Sequence, residues 1–342
     1  MKILCFILFI LSYIGGYPAP TVPNEIGNIM IVMYHGLSDT NKYDRSSEGF
    51  LSDLQKLYDN GYRLLSLHDL IDGNITTPAG YTPVVLTFDD GKQTTFSLRE
   101  DEGELVPAEG CMVDMLNEFC EEHPDFGKAA TFFVYGSDDT FKGAGTLEQR
   151  FAYLLENGYE IGNHTLSHAN LKNLGAARIQ EEIGLLDQRL RLQCGEGYLP
   201  RAIAFPNGER PGAENLRAYA ADGECNGEAY HYDWALRVGE STVTANPFHI
   251  KFEPLNVPRV IGADESNAAY AVHDLGYFLR YYEDNPEAKY ISDGDPETVT
   301  VPKELTHLVN GEAAEGMGVR VEVYREIWRT KFVGNYSIMP RA

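Results

Sequence analysis

The chain has 342 residues, of which 43% are hydrophobic and 11% aromatic, so it can bury the core of one large domain or two ordinary ones. This composition argues against an intrinsically disordered polypeptide. With 28 Lys and Arg residues against 51 Asp and Glu residues, the formal net charge is -23, which argues against nucleic acid and anionic lipid as partners.

The N-terminus has the pattern of a secretory signal peptide. Lys2 precedes an apolar run from Ile3 to Ile14, and small and turn-forming residues follow. The run is short for a spanning helix, so we interpret residues 1–17 as a signal peptide, with an uncleaved membrane anchor as the alternative. We therefore expect a secreted protein, or one at the cell surface or in the periplasm.

Apolar strands and amphipathic helices alternate through the following part of the chain. The predicted strands cover 28–36, 63–67, 84–88, 128–136, 159–163 and 201–205, and the predicted helices cover 48–60, 111–123, 146–158 and 173–193. The polar, acidic stretch from Lys92 to Pro107 is predicted to be an inserted loop. Because no tight hairpin turn joins two of these strands, the order predicts βαβ units and a parallel sheet, either a barrel or an open sheet.

The rhythm changes beyond Arg259. A helical segment is predicted at 268–286, a loop-like segment at 292–302, and a closing segment at 318–330. We therefore divide the mature chain into a main domain, residues 18–265, and a C-terminal extension packed on it, residues 266–342.

If the chain is exported, its cysteines lie in an oxidising compartment, where disulfides form. Cys5 lies inside the apolar run, which leaves Cys111, Cys120, Cys194 and Cys225. Three pairings are possible, and we favour Cys194 with Cys225 because both lie in Gly-rich segments. Four free thiols are the alternative.

Polar residues of three kinds follow the predicted strands. Asp89 and Asp90 end "VVLTFDD", His164 and His168 follow the strand at 159–163, and a Pro206-Asn207-Gly208 turn follows the strand at 201–205. In parallel α/β folds the carboxyl ends of the strands meet at one edge and form the site. Two His at this spacing with one carboxylate form a common catalytic metal set, and the second carboxylate is then free to take a proton.

At this point the sequence resembles the polysaccharide deacetylase family of carbohydrate esterases. The resemblance rests on "LTFDDG", "GNHTLSH" and "FPNG" in that order, with "KAATFFV" before the His motif, and it covers roughly residues 28–262. It implies an irregular (β/α) barrel of about seven parallel strands, followed here by the C-terminal extension.

The resemblance also implies roles for the motif residues. Asp89 would be the catalytic base, and Asp90, His164 and His168 would bind Zn²⁺ or a similar divalent ion. Ser167, between the two His ligands, would support them. The turn of Pro206, Asn207 and Gly208 would contact substrate, with a backbone N–H near Asn207 and Gly208 stabilising the oxyanion.

Two departures from the family pattern leave roles open. The Arg that tethers the catalytic base has no match before "FPNG", where Arg201 comes too early, and Arg259 is the candidate for this tether. The late His that protonates the leaving amine has two candidates, His249 and His273, with a structural role as the alternative for each. For His35, at the end of the first strand, a structural role is the favoured interpretation.

These observations predict a secreted, metal-dependent hydrolase that removes N-acetyl groups from a GlcNAc-containing polysaccharide and releases acetate. The first alternative is a catalytically inactive member of the same fold that binds cell-wall glycan. The second is the hydrolysis of a small-molecule amide on the same scaffold, against which the signal peptide argues.

Overall fold

The computed structural model describes residues 22–239, 244–264 and 274–324. The predicted signal peptide, Cys5, His273 and the end of the closing segment lie outside these residues. In the described ranges no helix has the length and apolar character needed to cross a membrane.

The described strands and helices follow one another in the order expected for an α/β protein. The strands are β1 Met30–Tyr34, β2 Tyr62–Leu64, β3 Thr82–Asp89, β4 Leu98–Asp101, β5 Glu104–Pro107, β6 Thr131–Val134, β7 Glu160–Asn163, β8 Ala202–Ala204, β9 Asp222–Cys225, β10 Glu228–His231, β11 Trp234–Leu236, β12 Val260–Ile261, β13 Thr298–Pro302 and β14 Arg320–Tyr324. The helices are α1 Ser47–Asp59, α2 Leu67–Asp72, α3 Met112–Glu122, α4 Leu147–Glu156, α5 Ala176–Gln193, α6 Leu275–Asp284 and α7 Gly311–Gly316.

The main sheet is parallel and has the strand order β11-β8-β7-β6-β3-β1-β12, with β2 added on β3. The N–H of Arg237, just after β11, donates to the carbonyl of Val257, and the chain then runs into β12 beside β1. The segment 257–261 therefore contacts both edge strands, and the sheet curls into an irregular barrel. The predicted fold class is confirmed.

Sequence pattern explains why the barrel strands are buried and the helices lie outside them. Every residue of β3 is buried, as expected for a central strand of a parallel sheet with both faces covered. On α1, Phe50, Leu54 and Leu57 form the buried face, and the Ser46 side chain caps the N-terminus. Thr146 caps the N-terminus of α4 in a capping box with Gln149.

Two antiparallel hairpins lie outside the predicted strands, and one of them corrects the prediction of an inserted acidic loop. Part of the predicted acidic loop forms the β4–β5 hairpin, and β9 and β10 form a second one around Asn226 and Gly227, both at positive φ. Asn-Gly is a favoured two-residue turn because both residues accept positive φ. The flanking strands are short and mostly exposed, so they carry no apolar alternation that would reveal them.

The favoured disulfide is wrong, because Cys194 and Cys225 are both free, as are Cys111 and Cys120. Cys194 caps the C-terminus of α5, whereas Cys225 lies against Gly184 in the middle of the same helix. Ten helical positions correspond to about 15 Å, and a disulfide needs Cα atoms within about 7 Å. Both cysteines pack against α5, but at different heights along it.

The described part of the C-terminal extension shares a hydrophobic cluster with the barrel. Tyr290, Val299 and Val301 are buried together with Ile29 and Ile31 of the barrel. Part of the predicted loop-like segment is the buried strand β13, which pairs in parallel with β14. The division into domains at residue 265 stays a prediction.

Candidate active site

The predicted polar residues converge at the carboxyl ends of the barrel strands. Asp89 is the last residue of β3, Asp90 follows it at a φ of 72°, and His164 directly follows β7. A cavity of about 990 Å³ opens there. The sequence-predicted residues among those that line it are Asp89, Asp90, His164, His168 and Asn207.

Arg259 holds Asp89 with two parallel hydrogen bonds. Its Nη1 and Nη2 donate to Oδ1 and Oδ2 of Asp89, each at 2.7 Å, and both side chains are almost completely buried. Burial alone would raise the pKa of Asp89, but the charge and hydrogen bonds of Arg259, together with the nearby His164 and His35, outweigh it and the pKa is lowered. Arg259 lies just before β12 and reaches the end of β3 as expected for the tether.

Asp90, His164 and His168 form a cluster beside this pair whose donor atoms are close enough to hold one metal ion. The Nε2 atoms of His164 and His168 lie 3.6 and 3.4 Å from Oδ1 of Asp90, and one ligand atom from each residue lies within 4.8 Å of the others. That Oδ1 is buried and has no hydrogen-bond partner. Burial raises the pKa of Asp90, yet the neighbouring imidazoles lower it well below its ordinary value.

The tautomer of His164 is fixed by the barrel itself. Its Nδ1 lies 2.8 Å from the carbonyl oxygen of Ala204 at the end of β8, so this nitrogen carries the proton and donates. The Nε2 lone pair therefore faces Asp90. Such an N–H···O=C bond behind the ring is the usual orientation of a metal-binding His.

The loop between His164 and His168 has an unusual backbone. Thr165 and His168 have φ values of 62° and 56°, in the left-handed region that non-Gly residues seldom adopt. The Thr165 N–H donates to Oδ1 of buried Asn163, and the Ala169 N–H donates to the Thr165 hydroxyl. Ser167 does not touch the ligands directly, because its N–H and hydroxyl both donate to the carboxylate of Glu182 on α5.

The turn after β8 differs in detail from its predicted role. The N–H of Gly208 donates to the carbonyl of Phe205 at 2.9 Å, so it is not available to an oxyanion, and Pro206 has no N–H. Asn207, at a φ of 58°, is the member of the turn that lines the cavity.

The cavity also contains residues that the sequence reasoning did not select. His35 lines it at the carboxyl end of β1, and burial lowers its pKa in spite of Asp89 and Asp90. The Nζ of Lys92 lies 2.6 Å from Oδ1 of Asp44, which lines the same cavity, and 3.8 Å from Oδ2 of Asp90. The position of His35 at the end of a predicted strand was the sequence feature that could have identified it as a residue of the cavity.

The candidate proton donor His249 lies in another part of the molecule. Its Nδ1 accepts the N–H of Lys251, and its backbone pairs with Val309. His249 thus packs against the C-terminal extension and does not line the cavity, so the structural interpretation holds for it.

Comparison with known proteins agrees with this geometry. Residues 77–222 match the family model described as polysaccharide deacetylase, and this span includes Asp89, Asp90, His164 and His168. This part of the chain is therefore similar to a polysaccharide deacetylase domain. Arg259 lies outside the matched span.

One curated relative and one solved structure resemble the deacetylase domain. The chain is 26% identical over 130 residues to a chitooligosaccharide deacetylase of Bradyrhizobium, a match that covers 38% of this chain and 48% of the relative. It therefore spans about half the length of that relative. The Streptococcus pyogenes deacetylase PplD, solved with acetate, has a similar fold, with a TM-score of 0.52 and 18% identity over 76% of this chain and 98% of PplD.

Proposed function

We propose that the protein is a metal-dependent hydrolase that removes N-acetyl groups from a GlcNAc-containing polysaccharide and releases acetate. One observation carries the proposal: a buried carboxylate held by Arg259 lies beside the Asp90, His164 and His168 cluster, in one cavity. The similarity of residues 77–222 to the polysaccharide deacetylase model, and the N-acetylated glycans on which such enzymes act, support the same proposal.

The residues of the cluster fit a divalent ion. Two imidazole nitrogens and one carboxylate are a common catalytic donor set for zinc, which leaves positions open for water and substrate. The buried, unpartnered Oδ1 of Asp90 faces both His Nε2 atoms and is the kind of acceptor that a cation satisfies. When bound, such an ion supplies Lewis-acid chemistry and lowers the pKa of water to about 7.

Asp89 is suited to take a proton from the attacking water. Its lowered pKa keeps it ionised at neutral pH, and each oxygen uses one lone pair on Arg259 and keeps another. Arg259 fixes the carboxylate plane, so the free lone pairs keep one direction. Asn207 lines the cavity, which supports a role for this member of the 206–208 turn in contacting the acetamido group.

We further propose that the protein acts outside the cytoplasm. The N-terminal sequence has the pattern of a signal peptide, and glycan polymers of the proposed class lie outside the membrane. Detection of the mature N-terminus in culture medium or cell-wall fractions would test this part.

Acetate release is the direct test of the activity. Chitooligosaccharides, peptidoglycan and partially acetylated polyglucosamine are incubated with the protein, with and without a chelator. We expect acetate from at least one polymer, loss of release with chelator, and recovery when zinc is added. Binding to glycan without acetate from any substrate would instead support the inactive glycan-binding alternative.

A further inference from the structure

Glu182 is a fully buried carboxylate close to the candidate metal site. It lies on the inner face of α5, with 0% of its side chain exposed, and it does not line the cavity. A buried carboxylate is costly unless it is hydrogen-bonded and paired with a cation. The groups that form hydrogen bonds with Glu182 therefore indicate its role.

Those partners fasten the loop that carries His168. The Ser167 N–H donates to Oε2 at 2.8 Å and the Ser167 hydroxyl to Oε1 at 2.6 Å, while the backbone carbonyl of Glu182 accepts the N–H of Leu166 at 2.8 Å. Arg178, one turn earlier on α5, donates to Oε1 and balances the charge. One residue of α5 thus holds two consecutive backbone groups next to His168.

The loop needs such support because its backbone is strained. Thr165 and His168 both lie in the left-handed region, which is unfavourable for residues other than Gly. Strained conformations persist only where the surroundings enforce them. Without the Glu182 bonds, the loop could relax and carry the Nε2 of His168 away from Asp90.

We propose that Glu182, balanced by Arg178, is a positioning residue of the candidate metal site. It fixes the 165–168 loop so that His168 faces Asp90 before any ion binds, and it acts through Ser167 rather than by contact with the ion. This inference rests on the proposed metal site.

Metal affinity and hydrogen exchange test the inference on the full chain. The variants are Glu182→Gln, Ser167→Ala and, as the matched control, Glu181→Gln, since Glu181 binds the same Arg178 but is half exposed. Zinc affinity is measured by competition with a chromophoric chelator. Amide exchange at Leu166 and Ser167 is measured in the metal-free protein.

We expect Glu182→Gln to weaken zinc binding by about 10–100-fold, the usual effect of losing a group that orients a ligand. Exchange at Ser167 should become faster in the same variant. Ser167→Ala should show a smaller loss, because its N–H bond remains, and Glu181→Gln should match the wild type.

Wild-type zinc affinity in both folded Glu182→Gln and Ser167→Ala would overturn the inference. If Glu182→Gln does not fold, Ser167→Ala decides alone, with unchanged affinity and exchange counting against it. If the wild type itself binds no zinc, the proposed function fails, and the exchange measurement alone decides whether Glu182 holds the loop.

Discussion

Asp89 and Asp90 are adjacent in the chain and have opposite surroundings. Both oxygens of Asp89 accept a hydrogen bond from Arg259, which uses one lone pair of each. Asp90 instead has a buried oxygen without a hydrogen-bond partner that faces two imidazoles. Asp90 has a left-handed φ, and its Oδ1 lies 3.6 and 3.4 Å from Nε2 of His164 and His168. One residue is therefore suited to take a proton and the other to bind an ion.

Substitution of each carboxylate by its amide should separate the two roles. Asp89→Asn should keep the metal and reduce turnover by about 100- to 10,000-fold, the usual contribution of a general base. Asp90→Asn should weaken metal binding, because a neutral amide is a poorer partner for a dication. Metal analysis and acetate release on both purified variants check this, and metal loss in Asp89→Asn would show the roles to be reversed.

Burial of His35 predicts a pH-dependent contribution to stability. Its pKa is lowered from an ordinary value of 6.5, so the unfolded chain takes up a proton below that pH more readily than the folded protein does. The free energy of unfolding therefore loses the His35 contribution as pH falls below about 6.5. Glu25, whose pKa burial raises to about 8, acts in the opposite direction, so a variant must isolate the effect.

The measurement is denaturant unfolding of chelator-treated wild type and His35→Gln between pH 5 and about pH 8. Relative to the variant, the wild type should become less stable as pH falls through this range. Parallel pH profiles for the two proteins would contradict the assignment.

At the scale of elements, α5 connects the site to the second hairpin. One face of α5 carries Glu182, whose side chain accepts the N–H of Ser167 in the 165–168 loop. Gly184 on the same helix faces Cys225 on β9. A Cβ at Gly184 would lie 2.5 Å from the Cβ of Cys225, so the absence of a side chain is what permits this close approach. The glycine is a packing requirement in the middle of a long helix.

Gly184→Ala should therefore destabilise the protein, although alanine is the better helix former by about 1 kcal/mol. Overpacking of this kind costs roughly 1–3 kcal/mol, which exceeds the propensity gain. Thermal or denaturant unfolding checks the sign. The control is Gly175→Ser at the N-cap of the same helix, where an added Cβ meets nothing within 4 Å and stability should not fall.

At the scale of the whole molecule, the barrel and the described C-terminal part share one hydrophobic cluster. Val299 and Val301 of β13 are completely buried in it, and Glu25, ahead of β1, accepts the N–H of Thr300 at 2.7 Å. Shared burial predicts that these parts unfold together, because neither can expose its face of the cluster alone.

Val301→Ala tests this coupling. The variant should lower the free energy of unfolding by roughly 1–3 kcal/mol in a single transition that includes the barrel. Val323→Ala on β14, where 52% of the side chain is exposed, should have little effect. A separate early transition of the C-terminal part, with the barrel still folded, would contradict the prediction.

The sequence by itself determined the parallel strands, their helices and the polar residues at the strand ends. Buried β-branched strands and amphipathic helices differ in period, and residues that end parallel strands must meet at one edge, so local pattern was sufficient for Asp89, Asp90 and His164. The short polar hairpins were not predicted, because they bury too little apolar surface to produce an alternating sequence pattern.

Only the tertiary structure decided which distant residues meet. Arg259 is 170 positions from Asp89 and reaches it because the segment before β12 completes the barrel beside β1. Cys194 and Cys225 looked suitable for pairing in sequence, but they pack at different heights along α5. Glu182 on α5 acquired its partner Ser167 in the same way, because a hydrogen bond between a helix and a loop depends on how the elements pack and not on spacing along the chain.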